Sequence, residues 1–323
     1  MLKTEHITLP HGLMLGPMAG FSDYAMRRVC FAFGAEYAVT EMVSAKAVVY
    51  GDKKTHRLAR IHPDEGAVAV QMFGSEPSVL AEAAGILTPG EPDGIPPVAI
   101  DINMGCPVPK VFGNGEGAAL MRDPGKIYDI VRAVTSATSL PCTVKLRAGL
   151  DPSHRCAVEC ALAAEEGGAA WVALHGRTRR EMYGGRADRA YIAEVRRRLH
   201  IPLVANGDIS SGADALAMRR ITGADGLMVA RAAVGNPFLF REILAAMDGI
   251  PCVPPTVQER RETALWQLDL AIADKGETVA VREARGQIAR YFSGLPGSAA
   301  RRMLVHTAQT REDMLRAFDG WEE

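Results

Sequence analysis

Residues 142–177 read CTVKLRAGLDPSHRCAVECALAAEEGGAAWVALHGR, and this stretch decides the fold. CTVKLR (142–147) is a short apolar and β-branched run, and WVALHG (171–176) is another. Between them HRCAVECALAAEEGG has the apolar spacing of a helix and ends on Gly167 and Gly168, a helix-stop signal. A strand, a helix and a second strand in this order predict parallel pairing.

The same unit recurs on both sides. LMLG (13–16), YAVTE (37–41), VAVQMF (68–73), VAIDI (98–102), PLVANG (202–207) and GLMVAR (226–231) complete a set of eight strand candidates. The helical patterns SVLAEAAGIL, GKIYDIVRAVTSA, RAYIAEVRRRL and GADALAMRRI lie between them. Eight units over about 240 residues fit an α/β fold of the (β/α)8 TIM-barrel type. A doubly wound open sheet also alternates, but it usually has fewer strands and a GxGxxG turn after the first; no such turn is present. The barrel is expected over 1–248, followed by a proline-rich linker, GIPCVPPT (249–256), and a small all-helical domain over 257–323. That helical part is expected to have one interruption, at GLPGS, and TPGEPDGIPP (88–97) to be a surface insertion on the barrel's N-terminal face.

With 37 basic and 38 acidic residues, the chain of 323 residues has a formal net charge of −1. A strongly basic nucleic-acid binder is excluded, but a local phosphate-binding patch is not. Six scattered cysteines make no disulfide framework. The opening MLKTEHITLPHG lacks the apolar centre of a secretory signal, and no run reaches membrane-spanning length. A cytoplasmic protein with reduced thiols and no membrane partner is expected.

Barrel strands present their C-terminal ends to the active site. Here those ends carry Gln71, Asn103, Lys145, Arg147, His175, Arg177, Asn206, Asp208 and Arg231. NGDIS from Asn206 and VARAAVGNP from Val229 each turn into a helix after strands seven and eight, where barrels bind phosphate. Gln71, Lys145 and His175 remain for the rest of the ligand; an amide and a cation suit the pyrimidine edge of a flavin. No pair of residues has metal-ligand spacing, and no metal site is expected. Cys106 stands apart from the other cysteines, which are read as core. It opens a glycine-rich loop, with Gly105, Gly113, Gly115 and Gly117 expected to let that loop move.

PMAG (17–20), QMFG (71–74), DINMGCPVPKV (101–111), TVKLR (143–147), HGRTR (175–179), NGDI (206–209) and ARAAVGNP (230–237) together resemble the successive motifs of tRNA-dihydrouridine synthases. REARGQIARYFSGLPG (282–297) is similar to that family's C-terminal domain. The resemblance implies an FMN enzyme that reduces the C5–C6 double bond of selected D-loop uridines in tRNA, with NADPH or NADH as reductant. It places FMN against Gly16, Pro17 and Met18, against Gln71, Lys145 and His175, against Asn206, Gly207 and Asp208, and against Ala230 and Arg231. Cys106 becomes the proton donor, a role open to a thiol because it is still mostly protonated at neutral pH. Asn103 and Arg177 are expected at the uridine edge, and Arg282, Arg285 and Arg290 on the phosphates of tRNA. A monomer is the simplest assembly. Gly16 stands where that family commonly has alanine, and FSDYAMR (21–27) matches more loosely than the rest. A flavin barrel acting on a free dihydropyrimidine is the nearest alternative, and a non-catalytic RNA-binding barrel the next. REARGQIARYF weighs against the first, and the set Gln71, Cys106 and Lys145 against the second.

Overall fold

A computed structural model describes residues 1–319; residues 320–323 of the expected helical segment lie outside the described residues. The eight barrel strands are β1 (Leu13–Leu15), β2 (Tyr37–Val39), β3 (Ala67–Phe73), β4 (Ala99–Asn103), β5 (Cys142–Arg147), β6 (Trp171–His175), β7 (Leu203–Asn206) and β8 (Gly226–Val229). Each pairs in parallel with the next, and β8 pairs with β1 through Met228 and Met14, so the sheet closes. The open-sheet alternative is thereby excluded. Asp23, Asp123, Asp188 and Ser211 each accept a backbone N–H at the start of a barrel helix, satisfying donors that the first turn leaves free.

Strand side chains alternate in direction, and this period of two builds the site. Val68, Val70 and Met72 of β3 face the surrounding helices, as do Val144 and Leu146 of β5 and Val172 and Leu174 of β6. The opposite positions fill the barrel. Low in it, Met14, Tyr37, Ala69, Ala99, Trp171, Ala173, Val204 and Met228 form an apolar plug. A short N-terminal hairpin, Leu2–Lys3 with Thr8–Leu9, seals that end with Leu2, Ile7 and Leu9. Higher up the same inward rows turn polar: Gln71, Asp101, Asn103, Thr143, Arg147, His175 and Asn206 are all buried. Water is excluded below by hydrophobic burial and admitted above, where polar groups can be used.

After the barrel helix Phe238–Asp248 the chain runs to Val257 without regular structure. Helices Val257–Lys275 and Glu277–Ile288, a 3-10 turn Ala289–Phe292, and helices Ser298–Thr307 and Arg311–Arg316 follow. The single interruption expected at GLPGS is therefore corrected: the described helices also break at Gly276 and between Thr307 and Arg311. Thr310 starts a new helix through a capping box with Asp313, a pattern that overrides continuity of the apolar spacing. These helices lie against the barrel helix Tyr24–Ala32. Lys275 pairs with Asp23 at 2.5 Å, Arg60 with Asp274 at 2.5 Å, and Arg28 stacks over Trp266. Phe33, Phe238 and Tyr291 meet edge to face across the same seam.

Candidate active site

A cavity of about 640 Å³ opens at the strand C-termini. Of the residues expected at the cofactor, Pro17, Met18, Gln71, Lys145, His175, Asn206, Gly207, Asp208, Ala230 and Arg231 line it, together with Cys106 and Asn103. Gly16 does not. It follows β1 and donates its N–H to the Val229 carbonyl, and a Cβ there would lie 2.9 Å from the Met228 side chain, so the methionine occupies the room an alanine would need.

Cys106 is 9% exposed, set in the cavity wall rather than at a loop tip. Its N–H donates to Asn103 Oδ1 at 2.8 Å, and its carbonyl accepts from Ala118 at 3.1 Å. Gly117, at φ +60°, is glycine because a Cβ would come within 2.9 Å of the Cys106 carbonyl oxygen. The expected mobile loop is thus an anchored one around the thiol; only Gly113 and Gly115 face open space. Burial raises the thiol above its usual pKa, while the Val108 N–H, Arg147 and Lys145 pull the other way. The result is a protonated thiol at neutral pH.

In the same cavity, Lys145 Nζ donates to Asn206 Oδ1 at 3.2 Å, and Asn206 in turn donates to the Met228 carbonyl at 2.7 Å. Burial, then Arg147, lowers Lys145 to about 8, with Asp101 opposing. His175 is pushed down to about 2 by burial and by Lys145, Arg147, Arg177 and Arg231, so its ring is neutral. Gly207 packs against this ring at φ +117°; a Cβ would sit 2.7 Å from Ala187 Cβ and 3.0 Å from His175 Cδ2. Lys145, Arg147, Arg231 and Arg290 make the lining cationic, and Asp208 is its one acidic residue. Burial works against the Asp208 charge, but the Ala187 N–H and Arg177 hold the carboxyl below its usual range. A ligand with a phosphate and a polar ring edge fits this donor set.

Arg177 does not reach the cavity, which corrects its expected place at a substrate edge. It is 2% exposed and donates to the carbonyls of Gly184 and Gly185 and to Asp208. The three tail arginines have different surroundings. Arg282 is exposed, Arg285 is tied to the Ala308 carbonyl, and only Arg290, over Phe21, lines the cavity. Two neighbours had no role assigned from sequence, Arg147 although it was counted among the strand ends. Arg147 lines the cavity two positions after Lys145, and its inward parity is the signal that finds it. Tyr183 comes from an exposed loop and lies near both Arg147 and Arg231; no local pattern marks it.

Polar groups from successive strands, converging on a cationic pocket above an apolar plug, define a (β/α)8 barrel of the catalytic kind. Residues 14–319 match the family described as Dihydrouridine synthase (Dus), and the chain belongs to that family. It is 40% identical over 308 residues to tRNA-dihydrouridine synthase B of Xanthomonas axonopodis pv. citri, covering 94% of this chain and 90% of that one. It is 37% identical over 300 residues to a probable tRNA-dihydrouridine synthase of Treponema pallidum, covering 90% and 87%. An old yellow enzyme homologue from Zymomonas mobilis shares the fold at a TM-score of 0.55 and 12% identity, covering 80% of this chain and 94% of that one. Among the described residues no helix is long and apolar enough to cross a membrane, and no cluster of three or more His, Cys, Asp or Glu could hold a metal ion.

Proposed function

We propose that the protein is a tRNA-dihydrouridine synthase that reduces the C5–C6 double bond of particular D-loop uridines, with FMN as cofactor and NADPH (or NADH) as reductant. The observation that carries this reading is one cavity lined by a thiol, Cys106, and by the cations of Lys145 and Arg231, which would serve as proton donor, ring-edge cation and phosphate cation. Pro17, Met18, Gln71, Lys145 and His175 would hold the isoalloxazine, and Asn206, Gly207, Asp208, Ala230 and Arg231 the phosphate arm. Gly16 supports this wall from β1. The neutral His175 ring offers a hydrogen bond without adding charge beside Lys145.

When bound in its reduced form, FMN supplies the hydride that adds to C6 of uracil. Charge then develops toward C5 and O4 of the base. Cys106 gives its thiol proton to C5, completing 5,6-dihydrouracil, and the thiolate takes a proton back from solvent. Lys145 and Arg147 lower the cost of that thiolate. Asn103, which lines the cavity and accepts from Gly105 and Cys106, would hold the cysteine loop at the edge of the base. The target base must leave the stacked RNA to enter this depth. Arg290 at the cavity and exposed Arg282 would meet phosphates, while Arg285 shapes the helical tail. A cytoplasmic monomer, with a barrel over 1–248, a linker over 249–256 and an RNA-holding helical domain from 257, completes the reading.

The test is mass-spectrometric mapping of dihydrouridine in tRNA from cells lacking the gene, rescued with wild type or Cys106→Ala. Loss at a defined D-loop position, restored only by wild type, is expected. Unchanged tRNA in a strain with no second enzyme of this family would overturn the assignment.

A further inference from the structure

Asp101 lies below the cavity on β4, fully buried, where none of the steps above uses it. Its Oδ2 accepts from Gln71 Nε2 at 2.7 Å, and its Oδ1 accepts from the Thr143 hydroxyl. The Gln71 Oε1 accepts from Asn103 Nδ2 at 2.8 Å, and Asn103 Oδ1 accepts the N–H groups of Gly105 at 3.2 Å and Cys106 at 2.8 Å. These bonds form one continuous relay from Thr143 to the cysteine loop.

The relay has only one polarity. Two amides stand in its middle, and an isolated amide can turn over with little change in shape. The two ends forbid it. Backbone N–H groups at Cys106 and Gly105 require an acceptor, so Asn103 must present its oxygen to them and its nitrogen to Gln71. Gln71 must then present its nitrogen to Asp101, and an ionised carboxylate accepts only. Turning either amide would set two donors or two acceptors face to face in a buried site, at the cost of an unsatisfied polar group.

We infer that Asp101 is a positioning residue that fixes which edge of the Gln71 amide faces the ligand and, through Asn103, the seat of the Cys106 loop. The fixed amide leaves one N–H and one lone pair of Gln71 for a ligand in the cavity it lines. The cofactor edge and the thiol are therefore oriented by one buried anion. Burial also raises Asp101 to about 6, with the bonds from Gln71 and Thr143 opposing, as expected of a carboxylate held for its acceptors rather than for solvent. The inference rests on the flavin reading above only for the identity of the ligand that Gln71 meets.

The experiment compares wild type, Asp101→Leu and Asp101→Asn in two readouts: peptide-resolved alkylation of Cys106 by iodoacetamide, without flavin, and FMN affinity by absorbance. Asp101→Asn keeps an acceptor for Gln71 and is expected to stay within about threefold of wild type in both. Asp101→Leu is expected to weaken FMN binding about tenfold or more and to speed alkylation of Cys106 several-fold, because the loss of a hydrogen bond to a charged group is worth about 1.5–3 kcal/mol. A folded Asp101→Leu protein with wild-type alkylation and affinity would overturn the inference. If that variant does not fold, Gln71→Leu breaks the same relay one link nearer the thiol. An unchanged alkylation rate in Gln71→Leu would also overturn it. If wild type binds no FMN, the functional reading fails, while the alkylation series still decides the relay.

Discussion

The cavity wall and the seam between barrel and helical tail are built on opposite principles. In the wall, partners sit on adjacent strands at matching register: Gln71 beside Asp101, Asn103 beside Lys145, Arg147 and Asn206 beside His175. In the seam, Lys275 meets Asp23 across 252 positions and Arg60 meets Asp274 across 214. The wall repeats a rule of parity, so each polar residue announces its direction. The seam is a set of unique encounters, and each of its residues looks locally like an ordinary solvated charge. The chemistry belongs to the first region, and the hold on the helical tail belongs to the second.

Substitutions should separate the two. The largest effect is expected at Cys106. Cys106→Ala removes the proposed general acid and should lower turnover on tRNA by about 10²–10⁴-fold, with thermal stability close to wild type. Single-turnover assays against a melting curve would check it, and retained turnover would remove Cys106 from the proposed chemistry. Next comes Arg27, beneath the seam. It donates to Glu65 at 2.7 and 2.8 Å and to the Ser22 carbonyl at 2.9 Å, with both charged side chains buried. Arg27→Met strands the Glu65 carboxylate and should cost about 3–5 kcal/mol of stability while leaving turnover per folded molecule intact. Denaturant titration beside active-site-normalised turnover would show the split.

These residues also show what a sequence discloses. The eight strands and the main barrel helices follow from periodicity, because a closed parallel sheet must alternate outward apolar positions with inward ones. Lys145, Asn206 and Arg231 were legible as strand-end residues, and Cys106 as the cysteine that opens a glycine-rich loop. Arg177 carried the same signature and misled. It follows β6 by two positions, as Arg231 follows β8 by two; past the strand end the local contacts decide, and Arg177 is drawn to the Gly184 and Gly185 carbonyls and Asp208 while Arg231 lines the cavity. Asp101 was hidden in the opposite way: VAIDI reads as a buried strand, and nothing local tells a load-relaying carboxylate from a tolerated polar residue. FSDYAMR was the looser part of the first motif, yet its Asp23 pairs with Lys275 across the joint, and its Ser22 and Arg27 brace the loop beneath it. A segment shaped by a contact far along the chain has no reason to follow a local pattern.

The pH dependence sharpens the comparison further. Lys145 titrates near 8, so turnover should fall as pH rises through 8 and the cavity loses that charge. Stability should move the other way. The folded site binds the lysine proton less tightly than the unfolded chain, so between about pH 8 and 10.4 unfolding takes up protons and this term gains with rising pH. Melting curves of wild type and Lys145→Met over that window should converge in favour of wild type at high pH. His175, held near 2, should add no limb to the profile between pH 5 and 8.

The smallest effect is expected where the two regions touch. Arg290 comes from the tail yet lines the cavity, over Phe21 of the first βα loop. If it contacts one RNA phosphate, Arg290→Ala should raise KM for tRNA a few-fold with kcat nearly unchanged, and should reduce the slope of log affinity against log salt by about 0.7–0.9. A fall in kcat with an unchanged salt slope would instead make Arg290 part of the wall. The boundary between chemistry and RNA holding would then run through the helical tail rather than along the seam, because a tail residue would be acting on the reacting base.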